Sequence, residues 1–99
     1  MFALRGNSLL YLPVHVMGTA VSALVDTGAS RSFVSAKFAE MTRLYVERDL
    51  PMVVQLPTGE SETTDRVLHC ELLLENVIYA WKFYVLNMSL PMIVGLDFC

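Results

Sequence analysis

The chain has 99 residues and a formal net charge of −3, with 55% hydrophobic and only 17% charged residues. Its seven basic residues are scattered rather than clustered, which argues against a nucleic-acid or other phosphate-binding surface, and no apolar run approaches the ~18 residues that a membrane helix needs. One small domain spanning 1–99 is expected. Its apolar surplus exceeds what so small an interior hides, which points to a subunit interface.

No basic stretch precedes a long apolar run near Met1, so no signal peptide is expected. Cys70 and Cys99 make neither a disulfide framework nor a metal-ligand spacing, and two free thiols fit a reducing compartment. His15 and His69 read as strand-face or surface residues rather than ligands. No metal and no cofactor are expected.

Met1-Phe2-Ala3-Leu4 is a short apolar lead with no core of its own to join. Leu10, Leu12, Val14 and Val16 then alternate with Tyr11, Pro13 and His15, a period of two that predicts a strand with one buried face. Pro13 has no N–H for a ladder bond, so its side of the strand is an edge or a bulge. Met17-Gly18 turns the chain into a second strand, Thr19 to Val25.

This hairpin delivers Leu24-Val25-Asp26-Thr27-Gly28-Ala29-Ser30. Asp-Thr-Gly alone is an ordinary turn. Here it follows an apolar run, where a carboxylate loses hydration unless hydrogen bonds compensate. Gly28 permits a sharp turn and close backbone approach, and Thr27 offers a hydroxyl. Together they can hold Asp26 at the floor of a cleft.

Phe33 and Val34 predict a short buried strand. Ser35 suits a helix N-cap, with a helix from Ala36 to Arg43 turning Phe38, Ala39 and Met41 inward. Met52 to Leu56, the turn Pro57-Thr58-Gly59 and the polar run Glu60 to Arg66 predict a hairpin around a type I turn. Pro57 stiffens its tip by fixing φ. Val67 to Leu74 and Val77 to Leu86 predict two strands around a Glu75-Asn76 turn, with Tyr79, Trp81, Phe83 and Tyr84 destined for core or interface. A last strand, Met92 to Val94, ends at Gly95, and Leu96-Asp97-Phe98-Cys99 starts a helix.

Leu24 through Ser35 resembles the active-site segment of retropepsin-like aspartic proteases, most of all those of Gypsy-type LTR retrotransposons and genes domesticated from them. Phe83-Tyr84-Val85-Leu86 followed by Ile93-Val94-Gly95-Leu96-Asp97-Phe98 resembles the closing segment of the same family, and the two stand in the family's order. The resemblance covers nearly the whole chain. It implies an all-β fold with one or two short helices: a closed β-barrel protomer with a flap hairpin, forming a two-fold dimer. It also implies an aspartic endopeptidase that hydrolyses peptide bonds in extended apolar segments of a retroelement polyprotein, its own, inside the cell in the cytoplasm or in virus-like particles.

Within that resemblance Asp26 is catalytic, Thr27 locks two active-site loops across the dimer axis, and Gly28 makes room for substrate backbone. Ala29 and Ser30 line the floor, and Leu56, Pro57, Thr58 and Gly59 form the flap tip. Phe2 and Leu4 would pair with the partner subunit. Leu24, Val34, Val54 and Ile93 read as an apolar cleft wall. The reaction needs two carboxylates flanking one water, one as base and one as acid, and two close carboxylates share a proton. The chain holds one Asp-Thr-Gly. Asp97 follows Ile-Val-Gly but lacks a following Thr-Gly and reads as a cap, so two-fold symmetry must supply the second carboxylate.

Two features depart from retroviral members. Only four residues follow Gly95, where those members have a full helix and an interleaving strand. Ser30 and Leu96 stand where they have an acidic residue and an arginine. The loss of that ionic contact fits Gypsy-type relatives, while the short end and the Pro57-stiffened flap turn favour an alternative, a catalytically weak or inactive dimerisation or peptide-binding module with the same fold. A further alternative is an unrelated β-rich binding domain with a coincidental turn.

Overall fold

The computed structural model describes residues 10–26, 28–55, 59–95 and 97. The elements run β1 (Leu10–Val16), β2 (Thr19–Val25), β3 (Phe33–Ser35), α1 (Ala36–Met41), β4 (Val46–Gln55), β5 (Ser61–Leu74), β6 (Val77–Leu86) and β7 (Met92–Val94). The strands lie in the order β1-β2-β7-β3-β6-β5-β4, and β1 also pairs with β5 through His15↔Leu73 and Val16↔Leu72. That contact closes six strands into a barrel and leaves β4 outside, paired only with β5 among the described residues. The expected all-β, retropepsin-like barrel with a short helix is what the chain forms.

The barrel interior follows from the period of two. Val14, Val16, Ala23, Val25, Val34, Leu68, Cys70, Leu72, Phe83, Val85, Met92 and Val94 turn inward from all six strands, and Phe38 and Ala39 of α1 join them. The alternate residues of the central strands are buried as well. Leu24, Phe33, Tyr84, Leu86 and Ile93 form a second cluster on the outer face with Val54 and Val67. Fully burying such a side chain is worth about 1.5–3 kcal/mol. Central strands packed on both faces read as continuous apolar runs, as Met92-Ile93-Val94 does.

Both short turns are left-handed at two successive residues. Met17 and Gly18 have φ of 51° and 79°, and Glu75 and Asn76 have φ of 49° and 66°. These are two-residue hairpins with Val16↔Thr19 and Leu74↔Val77 as flanking pairs. Asn-Gly suits such a turn best, because neither residue strains at positive φ. The double substitution Glu75→Asn/Asn76→Gly is expected to stabilise the protein by about 1 kcal/mol, read as a higher melting temperature; an unchanged or lower one counts against this turn geometry.

Three sequence expectations need correction. The helix ends at Met41 rather than Arg43, and Met41 is exposed. The chain leaves the helix through Arg43 at φ 56°, with Arg43 N–H donating to Glu40 O and Leu44 N–H to Ala39 O, a Schellman-type close that normally uses glycine. The first flap arm starts at Val46, not Met52, with an irregularity between Arg48 and Met52 around Pro51. Proline is tolerated there because β4 is an edge strand. The polar run from Glu60 is no separate arm, since Ser61–Leu74 is one strand that pairs with β4 in its first half and β6 in its second. The proposed partner contacts of Phe2 and Leu4, and most of the expected terminal helix, lie outside the described residues.

Candidate active site

Three strand ends build the site. β2 runs parallel to β7, with Val25 opposite Val94, and β3 runs antiparallel to β7 on its other side. The loop joining β2 to β3 therefore passes over the end of β7. Asp26, half-buried, is the first residue of that loop. Its N–H donates to Val94 O at 3.0 Å, which extends the ladder by one bond. Its Oδ1 accepts from Gly28 N–H at 3.0 Å, and its carbonyl accepts from Ala29 N–H at 3.1 Å. The loop thus wraps around its own carboxylate and fixes its direction. A Cβ on Gly28 would stand 3.2 Å from Asp26 Oδ1, so glycine keeps this approach unstrained. Thr27 lies outside the described residues.

A buried hydroxyl ties this loop to the end of β7. Ser32, fully buried, accepts from Gly95 N–H at 3.1 Å and donates to Asp97 Oδ1 at 2.7 Å. The Asp97 carboxylate thus serves as an acceptor for Ser32. Ser32 belongs to no chemical motif in the sequence; the signal it offers there is a small hydroxyl abutting the apolar Phe33-Val34 strand. Ser32→Ala leaves the buried Gly95 N–H and the Asp97 carboxylate without this partner. It is expected to cost about 1–3 kcal/mol, measured by denaturant unfolding; a loss under about 0.5 kcal/mol would show that water replaces the hydroxyl.

In front of the loop lies a cleft of about 370 Å³ lined by Gly28, Ala29, Ser30, Arg31, Phe33 and the β4 residues Met52, Val53, Val54 and Gln55. Of the expected apolar wall, Val54 lines this cleft. Leu24 and Ile93 belong to the buried cluster that also holds Phe33. Val34 does not face it, because it turns into the barrel interior; the pleat puts Phe33 on the cleft side instead. The lining is mixed rather than apolar, with Ser30, Arg31 and Gln55 beside the hydrophobic residues. Gly59, at φ 92°, stands at the end of the hairpin loop, and Leu56, Pro57 and Thr58 lie outside the described residues.

Two side chains anchor the base of the hairpin to the barrel. The buried Thr64 hydroxyl donates to Val85 O at 2.6 Å, and Asn87 N–H donates to the Glu62 carboxylate at 2.7 Å. They sit where β5 passes from β4 to β6. On the outer face, Leu50 N–H and then Lys82 hold the Asp49 carboxyl below its usual range, and Asp49 in turn raises Lys82. Burial pushes the Cys70 thiol up to about 11, so it stays protonated near neutral pH and is no nucleophile. Among the described residues, no group of three His, Cys, Asp or Glu side chains could hold a metal ion.

The profile of a family described as retroviral aspartyl protease matches residues 3–99. DNA damage-inducible protein 1 of Kluyveromyces lactis is 29% identical over 92 residues, which are 91% of this chain and 22% of that protein. The chain thus spans about a fifth of the length of the curated relatives it matches. The crystal structure of the retroviral protease-like domain of Ddi1 from Leishmania major is similar at a TM-score of 0.68 and 25% identity, covering 96% of this chain and 73% of that one. The EIAV protease complexed with the inhibitor HBY-793 gives a TM-score of 0.71 at 14% identity, covering 98% of this chain and 90% of that one, a likeness of fold. These matches are to retropepsin-like proteins and do not single out the Gypsy type.

Proposed function

The chain belongs to the retroviral aspartyl protease family, and from that premise we propose that it is an aspartic endopeptidase active as a homodimer, with one Asp26 from each protomer. The observation that carries this reading is the setting of Asp26. Its carboxylate is held by Gly28 N–H, on a loop anchored to the end of β7, beside an open cleft under the flap arm. The other carboxylate of similar sequence context, Asp97, accepts from the Ser32 hydroxyl. A second copy of the same loop is the simplest source of the second catalytic carboxylate.

The chemistry then follows. Two facing carboxylates hold one proton between them. The ionised one takes a proton from water as its oxygen attacks the scissile carbonyl carbon. The protonated one gives its proton to the carbonyl oxygen. The resulting tetrahedral diol collapses as the carboxyl that took the water proton gives it to the leaving nitrogen and the other carboxylate takes a proton from a diol hydroxyl; the C=O re-forms, the C–N bond breaks, and the pair again holds one proton. Water is the nucleophile, and no covalent intermediate forms.

The substrate is an extended polypeptide that fits between the loop floor and the flap arm. Processing of a retroelement polyprotein is the finer proposal, and the family membership supports it; the likeness to DNA damage-inducible protein 1 equally fits a protease domain within a larger cellular protein. The experiment is cleavage of a diverse peptide library between about pH 4 and 7 at several protein concentrations. Specific activity should rise with concentration until the dimer is saturated. Absence of cleavage throughout, with peptide binding retained, would put the non-catalytic binding module in its place.

A further inference from the structure

We propose that Arg31 is a specificity-determining residue that selects substrates carrying a carboxylate side chain within a few residues of the scissile bond. The inference rests on the protease reading of the same cleft and deepens it. Arg31 is the one charged side chain in the described lining of that cleft, and it is exposed to solvent. Its guanidinium stands 6.0 Å from the centroid of the Tyr84 ring. An aromatic face holds a guanidinium in place without neutralising it.

Among the described residues, Arg48 and Lys82 are paired with carboxylates, and Arg31 is not. Arg48 contacts Asp65 at 2.6 Å, and Lys82, 5.1 Å from the same Tyr84 ring, contacts Asp49 at 3.3 Å. No carboxylate lies within ion-pair distance of Arg31 among the described residues. Its planar fork of donors is therefore free to take a carboxylate in bidentate fashion. Phe33, 6.3 Å from Tyr84 centroid to centroid, and Val54 supply the apolar part of the same cleft. The substrate class this describes is a peptide with bulky apolar residues near the cut and an acidic residue beyond them. A two-fold dimer would present one Arg31 on each side of the cut. The chain as a whole is acidic, at −3, so such a preference would be local to this residue rather than a general attraction.

The test compares three peptides identical but for Glu, Gln or Lys at positions flanking an apolar cut. Cleavage is measured by the wild type, Arg31→Lys, Arg31→Gln and Arg31→Glu at about pH 6, where a glutamate side chain is ionised. Binding of the same peptides to Asp26→Asn protein, with and without each Arg31 substitution, is measured by fluorescence anisotropy. The wild type should favour the Glu peptide over the Gln peptide by about three- to tenfold. Arg31→Lys should keep part of the preference, Arg31→Gln should lose it, and Arg31→Glu should transfer it to the Lys peptide. Raising salt from about 0.05 to 0.5 M should shrink it. Equal handling of all three peptides by the wild type, or a preference unmoved in Arg31→Glu, overturns the proposal, as does failure to bind any of them. If nothing is cut but the binding preference follows residue 31, Arg31 keeps its role and the protease reading fails instead.

Discussion

Asp26→Asn is expected to abolish peptide cleavage, with a loss of at least about 10³-fold in kcat/KM, because the exchange removes a general base and a general acid at once. The fold should survive. The asparagine side-chain oxygen can still accept from Gly28 N–H, and the Asp26 N–H bond to Val94 O belongs to the backbone. A melting temperature within a few degrees of the wild type separates this loss of chemistry from a loss of structure. Mixing sharpens the result. At concentrations that saturate the dimer, an equimolar mixture with the wild type leaves about half of the wild-type protomers in dimers with two aspartates, by random pairing of identical surfaces. Activity should therefore fall to about half of what the same wild-type protein shows alone. Undiminished activity in the mixture would mean that one chain suffices, and the homodimeric mechanism would be wrong.

Gly95→Ala is expected to be the most destabilising glycine-to-alanine change among the described residues. A Cβ at Gly95 would overlap the Arg31 carbonyl oxygen and stand 2.7 Å from the Ala29 carbonyl oxygen. Both obstacles are backbone, so no rotamer change clears them. The loop cannot drift away cheaply, because Ser32 and Asp26 tie it to Gly95 and Val94. Overpacking of this kind costs about 3 kcal/mol or more. That is a large part of the 5–15 kcal/mol typical of a domain and corresponds to a fall of about 12–24 °C in Tm for a domain of this size. Gly59→Ala is the control. Among the described residues nothing lies within 4 Å of a Cβ placed on Gly59, and its φ of 92° is what opposes a side chain, so the cost should be about 1–2 kcal/mol. A Tm shift for Gly95→Ala no larger than that for Gly59→Ala would show that the loop and the β7 end are not the rigid unit described above.

Much of the fold is written locally. Alternation over residues 10–16 and 19–25 gives the first hairpin at the bounds the structure shows, and Val77 to Leu86 and Met92 to Val94 likewise appear as single strands. Ser35 caps α1 as its residue type suggests, accepting from Phe38 N–H at 2.9 Å. Arg48, Asp49 and Pro51 hide the first half of β4, because an edge strand needs neither alternation nor a full set of N–H donors. Residues 60–66 read as a separate polar arm, yet Ser61–Leu74 is one continuous strand, held by β4 on one side and by the Thr64 and Glu62 bonds on the other. Met41 sits three residues after Phe38, but it is the last helical residue and is exposed, and the chain turns away through the left-handed Arg43.

The sequence alone determined the family, the barrel's component strands and the identity of the candidate carboxylate, since each depends on neighbours a few residues apart. The tertiary structure decided which side of each central strand faces what. Val34 and Phe33 are equally apolar in the chain, and only closure of the barrel sends one into its interior and the other to the cleft. It also decided the partners of Ser32, Gly95 and Arg31, which lie more than 50 residues from the groups they meet. Hydrogen bonds, steric limits and ring contacts of that range have no local pattern to read, because they exist only once β2, β3 and β7 have been laid side by side.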